Sequence, residues 1–510
     1  MATSFATPAR PDALSFRWPT WTPAVIMLAI VCAFGAEAYV GGGGDDYYYL
    51  DAARCLVRGE LCLPHTHWAA RWPVVAPLAA AIALFGESLL SVALPTIAYT
   101  AAAAILLALN VERRLGRSAG AIAALVLVLT PAMTGRALKP APDGAELAWL
   151  LAALLAIQLA IRHRSSRAAL SAGLLFALAI MTRTTAVVLL PVVAVIGWRL
   201  PDTERRLAIP FVIGLAAPLL AEMACYALAT GNPGYGLMLA LHHARLPTSE
   251  LPPGIDLTQG TLFNLDLIRH WHRSSGIHVH WLVDPLLNLL ADPAASLTLL
   301  GAGALALVAR DRWTRADRWL LPAIAAAAGH FLVITYVLAI DPKPRMFLPE
   351  LALAATMVGI AAGRLLAAGR VALPVALLAL LALRGISFGY GQPNPIVVAD
   401  TATAWIRAEH NPPATDEWTR RSLALAPVAA ALPIAVADER RPILALSPDD
   451  CAAALDRAGP GWRVERFARF TPRDPPVIGW LRAHGIMIGA YQAPTLCLLR
   501  PPDRAASPRA

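Results

Sequence analysis

Charged residues are scarce in this sequence. Only 15% of its 510 residues are Asp, Glu, Lys or Arg, whereas a soluble domain carries roughly a quarter. The chain also lacks a phosphate-binding Gly-Lys-Ser/Thr loop, a dinucleotide-binding glycine fingerprint and a serine nucleophile elbow. The composition therefore does not suit a soluble protein of this size, and no motif indicates a soluble nucleotide donor or a serine nucleophile.

Hydrophobic residues make up 57% of the chain, and its mean hydropathy is +0.56. They fall in long unbroken blocks, and a block of about 20 apolar residues crosses a bilayer as a helix. In lipid a segment must form its backbone hydrogen bonds internally, which a helix does. The sequence predicts a mainly α-helical, polytopic membrane protein with about 11 transmembrane helices. The predicted blocks are 22–40, 88–109, 118–135, 145–161, 168–182, 184–199, 207–230, 294–309, 318–340, 346–367 and 371–388.

Lys and Arg concentrate in short connectors, which accounts for the net charge of +9 without invoking nucleic acid. Cytoplasmic loops carry such an excess, and placing all the connectors inside yields one consistent topology. Residues 1–20 are then cytoplasmic, and the first block is a membrane helix rather than a cleaved signal. The basic connectors are 112–117, 162–167, 202–206, 310–315 and the pair Arg364/Arg370, and the predicted outer segments are 41–87, 136–144, 231–293, 341–345 and 390–510.

This topology divides the chain into a membrane domain, residues 21–389, and an extramembrane C-terminal region, residues 390–510. The outer loops 41–87 and 231–293 are long and rich in Trp, His and Pro, and long ordered loops are commonly functional. The C-terminal region has more charge and short β-like runs at 433–437, 443–446 and 496–499. We predict a small soluble α/β domain there.

Four of the six cysteines fall on the predicted outer side, in a compartment that permits disulfides. We expect the pairs Cys55–Cys62 and Cys451–Cys497. The alternative is four free thiols.

The most informative polar motif follows the first membrane block, where Gly41–Gly44 precede the acidic pair Asp45-Asp46. Adjacent carboxylates at a membrane surface are costly unless they have a partner or a function. The topology puts Asp143 on the same face, where it is also expected to cap a helix. These three are the candidate catalytic residues; the alternative for the pair is a solvated helix cap or loop anchor.

Cationic residues gather on the predicted outer face as well. Arg71, Arg183, Lys343 and Arg345 are candidates for binding a donor phosphate, because cations attract anionic headgroups and stabilise a departing phosphate. Each could instead reach the membrane interface without a ligand.

Histidines recur in closely spaced sets on the same face. Their spacing would allow a divalent metal such as zinc, but no accompanying cysteine or tight ligand pattern supports one. We favour a role in lining a substrate cavity and predict no cofactor. The sets are His65/His67, His242/His243, His270/His272 and His278/His280.

Taken in order over roughly residues 20–370, these motifs resemble the GT-C membrane glycosyltransferases, in the branch of protein mannosyltransferases and lipid A aminoarabinose transferases. The chain departs from that family in having Asp-Asp where Asp-Glu is frequent and Arg183 where Lys is frequent. The matching elements are Asp45-Asp46-Tyr47-Tyr48, Arg71-Trp72-Pro73 through Leu84-Phe85-Gly86-Glu87, Arg113-Arg114-Leu115-Gly116, Pro131 with Asp143, Ala172-Gly173 to Met181-Thr182-Arg183, and Arg345-Met346-Phe347-Leu348-Pro349.

The resemblance implies transfer of a hexose or pentose from a polyprenyl-phosphate carrier to a lipid, polysaccharide or protein acceptor on the outer face. It implies inversion at the sugar carbon, with Asp45 as general base and Asp143 and Asp46 in supporting roles. The Ala/Arg/Pro-rich composition suggests a bacterial inner membrane.

The alternative function is a transporter or flippase for a lipid-linked substrate. The sequence shows no inverted repeat or matched broken helices, which weakens that interpretation.

Overall fold

The computed structural model describes most of the chain outside its two termini. The described residues are 19–35, 45–60, 62–198, 201–241, 263–265, 268–269, 277–313, 320–340, 342–389, 395–410, 412–423, 432–433, 441–447, 451–471, 480, 483–484 and 494–502. Gly41–Gly44, the histidines at 242, 243, 270 and 272, and most of the 433–437 run lie outside them.

Helices dominate the membrane domain, and every predicted apolar block contains one. An additional apolar helix, α3, lies inside the segment 41–87, where the sequence predicted only an outer loop. The helices of this domain are α1 (Thr22–Gly35), α2 (Asp45–Val57), α3 (Trp72–Phe85), α4 (Leu89–Leu115), α5 (Arg117–Leu129), α6 (Pro131–Thr134), α7 (Asp143–His163), α8 (Ser166–Thr182), α9 (Leu190–Trp198), α10 (Asp202–Arg205), α11 (Ala208–Thr230), α12 (Tyr235–Leu241), α13 (Asp284–Ala291), α14 (Ser296–Val308), α15 (Leu320–Leu332), α16 (Leu348–Ala367) and α17 (Ala372–Gly389).

Five helices among the described residues are long and apolar enough to cross a membrane, or six if the bent pair α13–α14 counts as one span. Shorter apolar helices, including α3, α5 and α8, pack among them. The fold is therefore that of a multi-pass membrane protein, and the count of eleven spans stays a prediction.

Small residues let these helices approach closely, as is common where lipid-embedded helices pack. Gly173 of α8 and Gly214 of α11 each face backbone atoms of the other helix with no room for a Cβ. Gly359 of α16 packs in the same way against Ala119 of α5.

The bundle has two chemically different ends. At one end, here called the connector end, lie the basic connectors 112–117, 162–164 and 310–312. Gln158 Nε2 donates to Asn110 Oδ1 at 2.7 Å, which brings the last turns of α7 and α4 together. Arg364 donates to the Arg312 carbonyl at 3.0 Å. The opposite end, where α2 and the start of α7 lie, is here called the site end.

Apolar packing holds α2 at the site end although four of its 13 residues are charged. Tyr49 and Leu50 are buried against Val75 and Leu78 of α3 and Ala145 of α7. Because side chains three and four apart share one face of a helix, burial of Tyr49 and Leu50 fixes the direction in which the preceding carboxylates project.

The C-terminal region forms the predicted small α/β domain. Its four-stranded sheet has the order β1-β2-β4-β3, with β1 parallel to β2 and the other pairs antiparallel. The predicted runs at 443–446 and 496–499 become β2 and β4, whereas the charged, exposed strand β3 was not predicted. The elements are α18 (Pro395–Ala408), β1 (Ala414–Thr415), α19 (Glu417–Ser422), β2 (Ile443–Ser447), α20 (Ala452–Ala458), β3 (Arg463–Arg469) and β4 (Thr495–Arg500).

Both predicted disulfides are confirmed. Cys55 at the end of α2 is bonded to Cys62, with Cα atoms 6.1 Å apart. Cys451 is bonded to Cys497 of β4, with a Cα separation of 5.9 Å.

Candidate active site

The acidic pair begins α2. Asp45 and Asp46 occupy its first turn, where the exposed backbone N–H groups and the helix dipole favour negative charge. The Asp45 side chain is 27% exposed, whereas Asp46 as a residue is only 7% exposed. Asp45 is therefore the member of the pair that an incoming substrate reaches more easily.

Asp143 begins α7, five helices further along the chain. Pro142 occupies the capping position, so Asp143 is the first helical residue rather than the cap that the sequence suggested. Its carboxylate accepts a hydrogen bond from Arg183 Nη2 at 2.5 Å. Glu146, one turn later on the same face, accepts from Arg183 Nη1 at 3.3 Å. Arg183 thus lies between two buried carboxylates.

Arg183 follows the last residue of α8 and also reaches the start of α16. Its Nη1 donates to the carbonyl of Arg345 at 3.4 Å. The Arg345 guanidinium in turn pairs with Asp45 Oδ2 at 3.1 Å. Residues separated by up to 300 positions therefore meet in one network that runs from Asp143 through Arg183 and Arg345 to Asp45.

Arg71 approaches the same site from the start of α3. It donates a hydrogen bond to the hydroxyl of Tyr49, and its guanidinium lies 5.9 Å from the centre of that ring. Burial raises the pKa of Tyr49, so the phenol stays neutral and serves as a hydrogen-bonding surface. Lys343 is exposed two residues before Arg345.

The two carboxylates of α2 differ in their electrostatics. Burial alone would raise the pKa of Asp45, but the guanidiniums of Arg345, Arg71 and Arg136 outweigh it and hold the pKa below its ordinary value. For Asp46, burial raises the pKa, and the Lys139 ammonium only partly opposes it. Asp45 is therefore fully ionised at neutral pH.

Two further cations of the predicted outer segment 136–144 complete the site. Arg136 and Lys139 lie between α6 and α7 and are half-buried. Burial and the neighbouring Arg136 lower the pKa of Lys139 to about 8. Burial and Arg345 lower the pKa of Arg136. Neighbouring cations that lower one another's pKa indicate an anion-binding site, because a bound anion would stabilise their charged forms.

A second set of ionisable residues was missed because it lies inside apolar blocks. His330 of α15, 1% exposed, contacts Glu350 of α16 through Nδ1 and Oε1 at 2.5 Å. Glu146 is close enough to interact electrostatically with His330. An ionisable side chain within a membrane helix is itself a signal of a functional or paired site, and that signal was available from the sequence.

Several buried polar atoms in this region have no hydrogen-bond partner among the described residues. Such atoms call for a ligand or water. They are Asp143 Oδ2, Glu146 Oε1, Arg183 Nε, His330 Nε2, Arg345 Nε and Glu350 Oε2.

The histidine sets do not converge within the part of the chain that the structure describes. The one group there with metal-ligand proximity is Cys55, Glu60 and Cys62, and its two cysteines form a disulfide. Among the described residues, the histidines therefore do not form a ligand set for the divalent metal that their spacing would allow.

Comparison with known proteins confirms the predicted resemblance to GT-C glycosyltransferases. Residues 72–225 match the family model of dolichyl-phosphate-mannose-protein mannosyltransferase. The fold is similar to that of ArnT from Cupriavidus metallidurans in the apo state, with a TM-score of 0.55, 14% identity and coverage of 94% of this chain and 97% of that chain. No curated protein sequence matches the chain.

Two further structures are similar at lower TM-scores. ArnT from the same organism bound to undecaprenyl phosphate has a TM-score of 0.43 and 12% identity, covering 93% of this chain and 97% of that one. The Archaeoglobus fulgidus oligosaccharyltransferase tethered with an acceptor peptide has a TM-score of 0.48 and 13% identity, covering 82% and 61%. The ArnT-like GT-C fold of the chain rests on the likeness to ArnT in the apo state.

Proposed function

We propose that this protein is a membrane glycosyltransferase that moves a sugar from a polyprenyl-phosphate carrier to an acceptor at the outer face of a bacterial inner membrane. The observation that carries the proposal is the ionised Asp45 paired with Arg345 at the edge of a cation-rich, half-buried patch. A carboxylate base beside an anion site at a membrane surface is what displacement of a lipid-linked phosphate requires.

The donor phosphate is assigned to Arg136, Lys139 and Arg345, with Arg71 and Lys343 as further candidates. The first three are crowded cations, and a phosphate would relieve their mutual repulsion. Arg183 was also a candidate, but its guanidinium is 5% exposed and engaged by Asp143 and Glu146. Its contacts favour a positioning role instead.

The donor lipid is assigned to a largely apolar cavity of about 490 Å³ between α4, α7, α9, α15 and α16. Its wall at the site end includes Leu147 and Pro349, one helical turn beyond Asp143 and Arg345 respectively. It extends along the bundle to Arg114 near the connector end. An isoprenoid chain matches this lining, and its phosphate would then lie beside the cation patch.

The reaction follows from these positions. An acceptor hydroxyl attacks the anomeric carbon, its proton passes to Asp45, and the bond from that carbon to the phosphate oxygen breaks with inversion. The polyprenyl phosphate leaves with the bonding electron pair, stabilised by the cations. When the donor phosphate engages Arg345, Asp45 loses part of its ion pair and its pKa rises, which makes it a stronger base in the donor complex.

The test uses the purified full-length protein in nanodiscs, a panel of undecaprenyl-phosphate-linked hexoses and pentoses, and a bacterial envelope extract as acceptor. We expect the wild type to release undecaprenyl phosphate with one of these donors. Asp45→Asn should lower the rate about 10²- to 10⁴-fold, the usual contribution of a positioned base.

The matched control is Asp311→Asn, a carboxylate 89% exposed at the connector end, which should keep the full rate. Asp46→Asn separates the two members of the pair. Transfer retained by Asp45→Asn but lost by Asp46→Asn would assign the base to Asp46. Movement of the donor across a vesicle bilayer without release of undecaprenyl phosphate would identify a flippase instead.

A further inference from the structure

A second cavity, of about 200 Å³, lies between α2 and the loop that precedes α3. It shares no lining residue with the apolar cavity assigned to the donor lipid. Its chemistry also differs, because polar and aromatic side chains line it. The lining residues that matter here are Tyr48, Asp51, Arg58, His65, Thr66 and Trp72.

The cavity starts beside the candidate base. Tyr48 is three residues after Asp45 on α2, so the two side chains are neighbours on one helix face, about 4.5 Å apart along the axis. Asp51 continues the same wall further from the base. A molecule whose hydroxyl reaches Asp45 can therefore place its next portion in this cavity.

The wall nearest the base is aromatic. Tyr48 stacks on Trp68, with ring centroids 4.8 Å apart and planes within 5°. The His67 ring contacts Trp68 at 4.0 Å and is tilted by 35° to it. Trp68 and His67 do not line the cavity themselves, so these contacts support the lining ring of Tyr48 from behind. The supported ring lies on the same helix as the exposed carboxylate of Asp51.

We propose that this cavity binds a sugar ring of the acceptor, so that the acceptor is carbohydrate-headed rather than a protein; the inference rests on the glycosyltransferase function proposed above. The C–H face of a sugar ring packs on an aromatic surface, and its hydroxyls bond to groups at the rim. The cavity has both parts, with the carboxylate of Asp51 and the hydroxyl of Thr66 near the rings of Tyr48 and Trp72. The Arg58 guanidinium at its rim is paired with Glu60.

A peptide acceptor fits this lining less well. An apolar amino-acid side chain would fill the volume but offer no hydrogen bond to the Asp51 carboxylate or to the Thr66 hydroxyl. A sugar ring supplies donors and acceptors around its whole edge. The small volume admits one such ring, so recognition there selects the terminal or penultimate sugar of the acceptor.

The walls are held in place without a ligand, which limits the entropy lost on binding. The disulfide Cys55–Cys62 joins the end of α2 to the loop. Tyr235 of α12 donates to the Pro64 carbonyl at 3.0 Å and anchors the same loop.

The experiment measures release of undecaprenyl phosphate by the full-length protein in nanodiscs while two acceptor preparations are titrated. One is the glycolipid and polysaccharide fraction of a bacterial envelope extract, and the other is its protein fraction. The variants are Asp51→Asn, a single change at an exposed position, and Trp68→Ala, which removes the support behind the lining ring of Tyr48. Their controls are Asp311→Asn and Trp198→Ala, whose side chains are exposed far from the cavity.

We expect only the carbohydrate fraction to stimulate release. Both cavity variants should need at least tenfold more of it for half-maximal rate, with kcat within about twofold and the KM for the donor unchanged. Stimulation only by the protein fraction, by neither fraction, or equally in the variants and the wild type would overturn the inference. Slow donor hydrolysis that depends on Asp45 would in each case leave the proposed function standing, whereas no donor consumption at all would refute both.

Discussion

The two ends of the helical bundle carry the same kind of ion pair in opposite surroundings. At the site end, the side chains of Arg183 and Asp143 are 5% and 0% exposed and lie 2.5 Å apart. At the connector end, Arg164 is 72% exposed and lies 3.7 Å from Glu204. Both side chains of the first pair are shielded from water, whereas in the second pair the arginine is largely solvated and Glu204 is 16% exposed.

The difference shows that charged residues have different roles at the two ends of the bundle. Exposed cations at the connector end interact weakly with their partners, so their number, not their pairing, matters for orientation in the membrane. Buried charges at the site end interact strongly and cannot be left unpaired without a large cost. Buried charged side chains at the site end are therefore expected where they serve binding or catalysis. The same kind of substitution should have very different effects at the two ends.

The largest expected effect is that of Arg183→Met. The change leaves Asp143 and Glu146 buried without their counterion, so the free energy of unfolding should fall by about 3–5 kcal/mol. Arg164→Met at the connector end should cost under about 1 kcal/mol. Thermal unfolding of both variants in the same detergent measures the contrast.

Neutralising the two carboxylates that contact Arg183 tests whether the loss of stability comes from unpaired charge. Adding Asp143→Asn and Glu146→Gln to Arg183→Met should recover much of the lost stability, because no buried charge then remains unpaired. If the triple variant is as unstable as Arg183→Met, the loss reflects packing of the arginine side chain rather than its charge.

An intermediate effect is expected at the buried pair His330–Glu350. His330→Leu removes the partner of a carboxylate that is 11% exposed, which should cost about 1–3 kcal/mol. His484→Leu, at an exposed position of the C-terminal domain, should stay within about 0.5 kcal/mol. Equal losses in the two variants, measured by the same thermal unfolding, would contradict a stabilising role for the buried contact.

Much of the architecture was predictable because it follows from local properties of the sequence. Apolar blocks such as 145–161 predicted the membrane helices, and basic connectors such as 112–117 marked one end of the bundle. Short, continuous apolar runs predicted β2 and β4. Helix α3 was missed because it is shorter than a full span and is flanked by polar residues. Strand β3 was missed because its side chains face solvent on both sides.

The site was predictable only in part. Asp45, Asp143, Arg183 and Arg345 were identified by topology and by resemblance, and the structure brings them together. Which residue pairs with which could not be predicted, because it depends on how each helix is rotated about its axis. The sequence accordingly offered Arg183 as a phosphate ligand, whereas packing of α7 against α8 places it between two carboxylates.

The smallest expected effect is a pH dependence that again distinguishes the two ends. Lys139 lies among Arg136, Arg345, Asp45 and Asp46, and burial with Arg136 lowers its pKa to about 8. If the donor phosphate binds protonated Lys139, binding is coupled to proton uptake once the pH exceeds that value. Affinity for undecaprenyl phosphate should then fall about fivefold from pH 8 to pH 9. Equilibrium binding of labelled undecaprenyl phosphate to nanodiscs at fixed ionic strength measures it.

Lys139→Arg keeps a positive charge to much higher pH, so its affinity should stay nearly constant over the same interval. Arg164→Lys, at an exposed position of the connector end, should leave the wild-type pH profile unchanged because it lies far from the phosphate. A flat profile in the wild type would remove Lys139 from the phosphate site. A profile that falls equally in Lys139→Arg would assign the titration to another group, and the cation patch would then bind phosphate through its guanidiniums alone.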